Sequence, residues 1–147
     1  MMMTLGMFVF GLDTAAYQEL QRQTAWRHSA QQRVGRRPVR QFLGPGEDTI
    51  TLTGTLLPLF TGGQQDLDEL REMANQGDAW PLIEGNGRYY GLYVIESMTE
   101  RKSRHTRDGT AQRIAFDLVL QRVDEDRARA LQQIGTINGA SLNGSVA

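Results

Sequence analysis

The segment Thr49-Ile50-Thr51-Leu52-Thr53-Gly54-Thr55-Leu56 alternates without a break. Ile50, Leu52 and Leu56 fall on one side and four threonines on the other. In a strand successive side chains point to opposite faces, so this run has one apolar face and one wet face. A parallel sheet buried on both faces reads as continuous apolar residues instead. The chain is therefore committed to antiparallel sheet in at least this region. Gly54 occupies the apolar face, where a missing side chain allows a bulge or the close approach of another backbone. Pro58 is read as the end of the strand.

Other segments extend the pattern. Met7-Phe8-Val9-Phe10 reads as a first strand. Tyr17 to Arg33 is read as strand in preference to helix, because Leu20, Ala25 and Trp26 do not keep a helical period. Gly35-Arg36-Arg37-Pro38 and Gly44-Pro45-Gly46 read as turns or loops. Trp80 to Glu84 is a short strand. Gly85-Asn86-Gly87 predicts a tight type I′ turn. Arg88 to Ser97 is the return strand, with Tyr90, Leu92 and Val94 on one face. Asp108-Gly109 is a second turn signal, after which Ile114, Phe116, Leu118 and Leu120 share a face. Residues 88–123 thus read as one long hairpin. Its tip is basic, because Arg101, Lys102, Arg104, Arg107 and Arg113 outweigh Glu100 and Asp108. A two-stranded ribbon is marginal in water by itself, so this tip is expected to pack on a neighbouring molecule or to be mobile until it does.

One helix is predicted, from Gln65 to Gln76. Asp66 with Glu69 suggests a capping box, Leu67, Leu70, Met73 and Ala74 form an apolar stripe, and Gly77 is a natural stop. The sum is an α+β fold: a mainly antiparallel β-barrel or sandwich with one packed helix and a long extended hairpin. At 147 residues this fits one domain, taken as 1–125. Residues 126–147 are read as a C-terminal helix and tail: Asp124 to Ile134 as a short charged helix, and the Gly-, Asn- and Ser-rich end as loose until a partner orders it.

Charge is sorted along the chain. The formal net charge is −1, yet 21–46 holds six arginines (Arg22, Arg27, Arg33, Arg36, Arg37 and Arg40) and no acid. Lys102 stands alone against fifteen arginines. Arginine suits contact with a defined partner, because its planar fork pairs bidentately and stacks on aromatic faces. The helix region 64–79 is the opposite, with five acids and one Arg. The expected protein interface accordingly draws on Arg27, Arg33, Arg36, Arg37 and Arg40, on Arg101, Lys102, Arg104 and Arg107, and on Asp66, Glu69 and Glu72.

Catalytic and metal-binding patterns are missing from the sequence. There is no cysteine, and neither His28 nor His105 has a metal-ligand spacing. There is no nucleophile elbow and no paired-histidine zinc motif. Gly85-x-Gly87 sits in a hairpin, and Gly91 comes one residue late for a dinucleotide fingerprint. The helix acids Asp66, Asp68, Glu69 and Glu72 read as a solvated face favoured by the helix dipole. No catalytic residue, cofactor or metal is expected. No signal peptide or membrane helix is apparent: the early apolar run from Met7 to Leu12 is short, and nothing approaches ~20 apolar residues. Nucleic acid is the alternative reading of the arginine segment. Against it stand a sequence pI near 6.1 and the lack of interleaved aromatic and basic residues.

Met7-Phe8-Val9-Phe10, Trp26-Arg27-His28, Arg33-Val34-Gly35-Arg36-Arg37-Pro38 and Gln41-Phe42-Leu43-Gly44-Pro45-Gly46 occur in order. Phe60-Thr61-Gly62-Gly63, Trp80-Pro81-Leu82-Ile83 and Arg107-Asp108-Gly109 follow. Together they resemble the GpU family of tail proteins from P2-type contractile phages and their tailocin relatives, over roughly residues 4–125. The chain departs from that pattern after Pro58, where relatives are expected to carry an acid and Leu59 stands instead. The resemblance implies a non-enzymatic structural protein needed for tail assembly, made in the bacterial cytoplasm and incorporated in the virion or tailocin tail. It implies a tail-tube-like fold and a homo-oligomeric ring, six-membered, at the tube–baseplate junction. Tube, hub or spike, and baseplate subunits are the implied partners. A tail-terminator ring at the opposite end is the rival within the same class.

Overall fold

The computed structural model describes residues 2–58 and 63–124. The expected C-terminal helix and tail, and Leu59, lie outside them. The elements are β1 (Met3–Leu5), β2 (Phe8–Phe10), β3 (Glu19–Arg33), β4 (Arg36–Leu56), α1 (Gln64–Gln76), β5 (Trp80–Glu84), β6 (Tyr89–His105) and β7 (Ala111–Val123). Among the described residues the strands form one antiparallel sheet in the order β2-β1-β5-β6-β7-β4-β3. The α+β, mainly antiparallel reading therefore holds. The barrel is not closed, since β2 and β3 remain as edges.

The open sheet is nevertheless curled around its core. Residues 11–18 carry the chain from one edge to the other. Ala15 within them is fully buried, and Phe10 on β2 lies 6.0 Å from Tyr17, two residues before β3. The Gly54 position is where this crossing segment meets the sheet. A Cβ there would come within 2.5 Å of the Ala16 carbonyl oxygen and 2.8 Å of the Phe116 ring, so the predicted close backbone approach is real. Ile50, Leu52 and Leu56 are fully buried, as are Phe116, Leu118 and Leu120 on the neighbouring β7. The alternation of both strands thus feeds one core.

α1 covers part of that core with Leu67, Leu70 and Met73. Its cap differs from the predicted one. Gly63 is the N-cap, and the Asp66 carboxylate accepts the Gly63 N–H at 3.1 Å. Asp66 therefore plays the reciprocal role three residues in, instead of starting the helix. Gly77 ends it with φ +73°, as expected. The helix is tied to β6 through Glu100, which accepts from Arg71 at 2.7 Å and from Gln64 at 3.3 Å.

Four local expectations are corrected. β1 is a separate strand that the sequence reading did not separate from its surroundings, and the predicted first strand is β2. The inward face of β6 is the other one: Gly91 and Tyr93 are fully enclosed, while Leu92 and Val94 are half-buried. A bulge at Glu96 then resets the phase, so that Met98 and Glu100 pair opposite Leu118 and Phe116. Apolar residues occupy both faces between Tyr89 and Ile95, so alternation could not choose. The third correction is the turn at 85–87. Gly87 alone has positive φ, +94°, and its N–H bonds to the Glu84 carbonyl at 2.8 Å. A type I′ turn needs positive φ at Asn86 too. The same closure recurs at Gly109, with φ +86° and its N–H on the Thr106 carbonyl at 3.0 Å.

The fourth correction matters most for function. Gly44-Pro45-Gly46 does not end a strand; it lies inside the 21-residue β4. Register shifts against β3 absorb the extra residues there. Pro45 has no N–H to give to a ladder, but no third strand runs along this stretch among the described residues, so no bond is lost.

Candidate functional site

β4 pairs with β7 only from Thr49 to Leu56, whereas it pairs with β3 from Thr53 to Arg36. Beyond Asp48 the β3–β4 ribbon therefore leaves the sheet as a free two-stranded arm, residues 25–46. Nine residues on β3 at about 3.3 Å each give an arm roughly 30 Å long. The turn at its far end uses Gly35, with φ +72°. The acid-free arginine stretch identified in the sequence is almost entirely this arm.

The two faces of the arm differ. Leu20, Arg22 and Thr24 lie on the core-facing side of β3, and by alternation Trp26, His28 and Ala30 continue that side outward. Phe42 pairs opposite His28, their rings 5.4 Å apart. In the sheet this side would be buried; on the arm Trp26 is 61% exposed and Phe42 58%. The other side carries Arg27, Ser29 and Gln41. Arg36 and Arg37 stand exposed beside the turn, and Arg40 is exposed opposite Ala30. Arg33 pairs with Arg36 through the backbone across the turn.

The arm is fastened at its root. The Asp48 side chain, 9% exposed, receives a bidentate pair from Arg22: Nε donates at 3.0 Å and Nη2 at 2.6 Å. The Thr24 hydroxyl donates at 3.4 Å, and Arg122 of β7 adds a cation at 3.6 Å. The Arg22 hydrogen bond chiefly holds the Asp48 carboxyl below the usual carboxylate range, and the same bond raises Arg22. Arg122 passes over Gly91, where a Cβ would sit 2.8 Å from its Nε. Arg22 and Arg88 also lie over the Tyr90 ring, at 5.5 and 5.0 Å from its centre. Burial, and secondarily the Asp48 charge, push the neighbouring Tyr93 hydroxyl up. An open cavity of about 360 Å³ lies at this root, lined by Arg22, Trp26, Pro45, Asp48 and Arg122 among others.

The β6–β7 hairpin has its predicted extent, but it is not the free ribbon. β4 supports it as far as Ile114, which pairs with Leu56. Only 103–113 overhang. Arg104 and Arg107 are exposed there, Lys102 is exposed just before it, and Arg104 adopts φ +54°. Thr106 donates its hydroxyl hydrogen to Asp108, which lowers that carboxyl. Arg101 pairs with Asp117 on the adjacent strand at 2.9 Å. The arm leaves the sheet beyond Thr49 and this tip leaves beyond Ile114, so the two basic projections lie at opposite ends. Glu69 and Glu72 are exposed on α1, whereas Asp66 is engaged in the cap.

The structure therefore brings Arg27, Arg36, Arg37 and Arg40 onto one projection, and Lys102, Arg104 and Arg107 onto another. It ties Arg101 and Asp66 to partners within the chain. Sequence reasoning missed the Asp48–Arg22–Arg122 fastening and the exposed Phe42 and Leu43. Its one available signal was that Glu47 and Asp48 end the acid-free stretch. Among the described residues no group of three or more histidine, aspartate or glutamate side chains could hold a metal ion, and no helix is long and apolar enough to cross a membrane.

Comparison with known proteins decides the family. The sequence profile described as Phage P2 GpU matches residues 6–125. The chain belongs to the phage P2 GpU family. The segments from which the resemblance was read lie within that span. A relative named "Probable tape measure protein", from Halomonas phage phiHAP-1, is 35% identical over 91 residues. The match covers 62% of this chain and 10% of the relative, so the chain spans about a tenth of that protein's length.

Proposed function

We propose that this chain is a structural, non-catalytic subunit of a contractile phage tail or tailocin, required for tail assembly, that forms a six-membered ring at the tube–baseplate junction on the hub side. Membership of the GpU family supports the tail role. The observation that carries the assembly role is the free arm. A ribbon of this length with aromatics exposed on one side is marginal in water unless something covers it. The curled antiparallel sheet with a helix docked on it suits a tail-tube-like subunit, whose edges a ring would protect.

The Halomonas phage relative contains a segment similar to this chain within a probable tape measure protein. Such an arrangement favours a position near the tail axis, next to tube, hub and tape measure subunits. The test is cryo-electron microscopy of particles from a host producing this chain, alongside particles made without it. A ring of this fold near the baseplate is expected in the first, and no finished tails in the second. Normal contractile tails in its absence would refute the assembly role.

A further inference from the structure

Nine large apolar side chains are exposed among the described residues, and seven of them fall on two surfaces. Four belong to the arm: Trp26, Val34, Phe42 and Leu43. Three belong to the β2 edge: Met7 at 91%, Val9 at 42% and Leu12 at 73%. On β2 the two neighbours of Val9, Phe8 and Phe10, are buried, so Val9 points away from the core. Met7 is exposed in the turn between β1 and β2, and Leu12 in the turn that follows β2. The edge itself is not open to a new strand, because the Thr14 hydroxyl already donates to the Val9 carbonyl at 2.6 Å. Contact here would run through side chains.

We infer that the arm of one copy docks its Trp26–Phe42 side onto the Met7–Val9–Leu12 patch of a second copy of this chain. The inference rests on the reading of the protein as a self-assembling subunit, and it names the two surfaces that would meet. Two observations favour a second copy as the occupant. Both patches are exposed within a single chain, and the arm reaches away from its own sheet. Charge is complementary: the patch segment 2–14 contains Asp13 and no basic side chain, whereas the arm, 25–46, contains five arginines and no acid. Because the two patches differ, the contact is head-to-tail, the geometry that closes into a ring when its rotation permits.

The experiment uses the full chain and two surface variants, an arm variant (Trp26→Ala with Phe42→Ala) and a patch variant (Val9→Asp). Circular dichroism and melting temperature establish that each is folded; Leu12→Asp and Phe42→Ser replace any that is not. Sedimentation velocity then reads assembly. The wild-type chain is expected to form oligomers and each variant alone to stay monomeric. Mixing the two variants restores one good contact, intact arm on intact patch, and should give dimers and nothing larger. If both variants assemble like wild type, or if their mixture stays monomeric, the arm-to-patch contact is wrong while self-assembly stands. A wild-type chain that remains monomeric at its highest soluble concentration overturns both.

Discussion

Removing the Asp48 charge should loosen the root of the arm by an amount the structure bounds. The Asp48 side chain is 9% exposed and Arg22 29%. Breaking a fully buried pair costs about 3–5 kcal/mol, and a surface pair is worth about 0–1. Two well-aligned bonds at 3.0 and 2.6 Å with one half-wet partner fall between, near 2 kcal/mol for Asp48→Asn. With a urea slope of ~2 kcal/mol per M, the unfolding midpoint should fall by about 1 M. A double-mutant cycle with Arg22→Met isolates the pair, and a coupling near 2 kcal/mol is expected. Since the native state depresses the Asp48 carboxyl, it binds fewer protons than the unfolded chain near the ordinary carboxylate pKa. The stabilisation is then full above about pH 4 and is lost as pH falls through the depressed native value. The advantage of wild type over Asp48→Asn should be flat from neutral pH to about pH 5 and shrink below pH 4. A coupling under ~0.5 kcal/mol, or an advantage that grows on acidification, would refute the assignment of Asp48 as the fastening charge.

Gly54→Ala places a carbon 2.5 Å from a backbone oxygen and 2.8 Å from a ring; it should cost about 3 kcal/mol, seen as a drop in melting temperature of about 10 °C. Gly11→Ala meets nothing within 4 Å and has no positive φ, so it should be neutral in the same assay. Arg36→Glu with Arg37→Glu, both exposed at the arm turn, should abolish assembly by light scattering with the melting temperature unchanged; normal assembly would remove the arginines from the interface. The Tyr93 hydroxyl has no hydrogen-bond partner among the described residues and is fully buried, so Tyr93→Phe should be neutral or stabilising by up to about 1 kcal/mol in urea unfolding.

Much of the fold was legible in residue order. Thr49–Leu56 declared its buried face, and so did Ile114, Phe116, Leu118 and Leu120, because each strand has one face apolar and the other polar. The helix was legible from its stripe and from Gly77. The β6 face was not, since Leu92 and Tyr93 are both apolar and the Glu96 bulge has no signature in a period of two. Gly44-Pro45-Gly46 was misleading for a related reason. Those residues break a strand that has neighbours on both sides, and whether β4 had such neighbours depended on β7, some seventy residues further along.

The sequence by itself determined the class of sheet, the single helix, the sorting of charge and, through short ordered segments, the family. These are properties of residues near one another in the chain, where alternation, capping and composition act directly. Tertiary structure decided which hairpin stands free. Both hairpins are long and both are basic, so nothing local separates them. β4 supports the 88–123 hairpin to within a few residues of its tip and leaves its own partner strand unsupported beyond Asp48. The arginine stretch became an arm because of where the other strands stop.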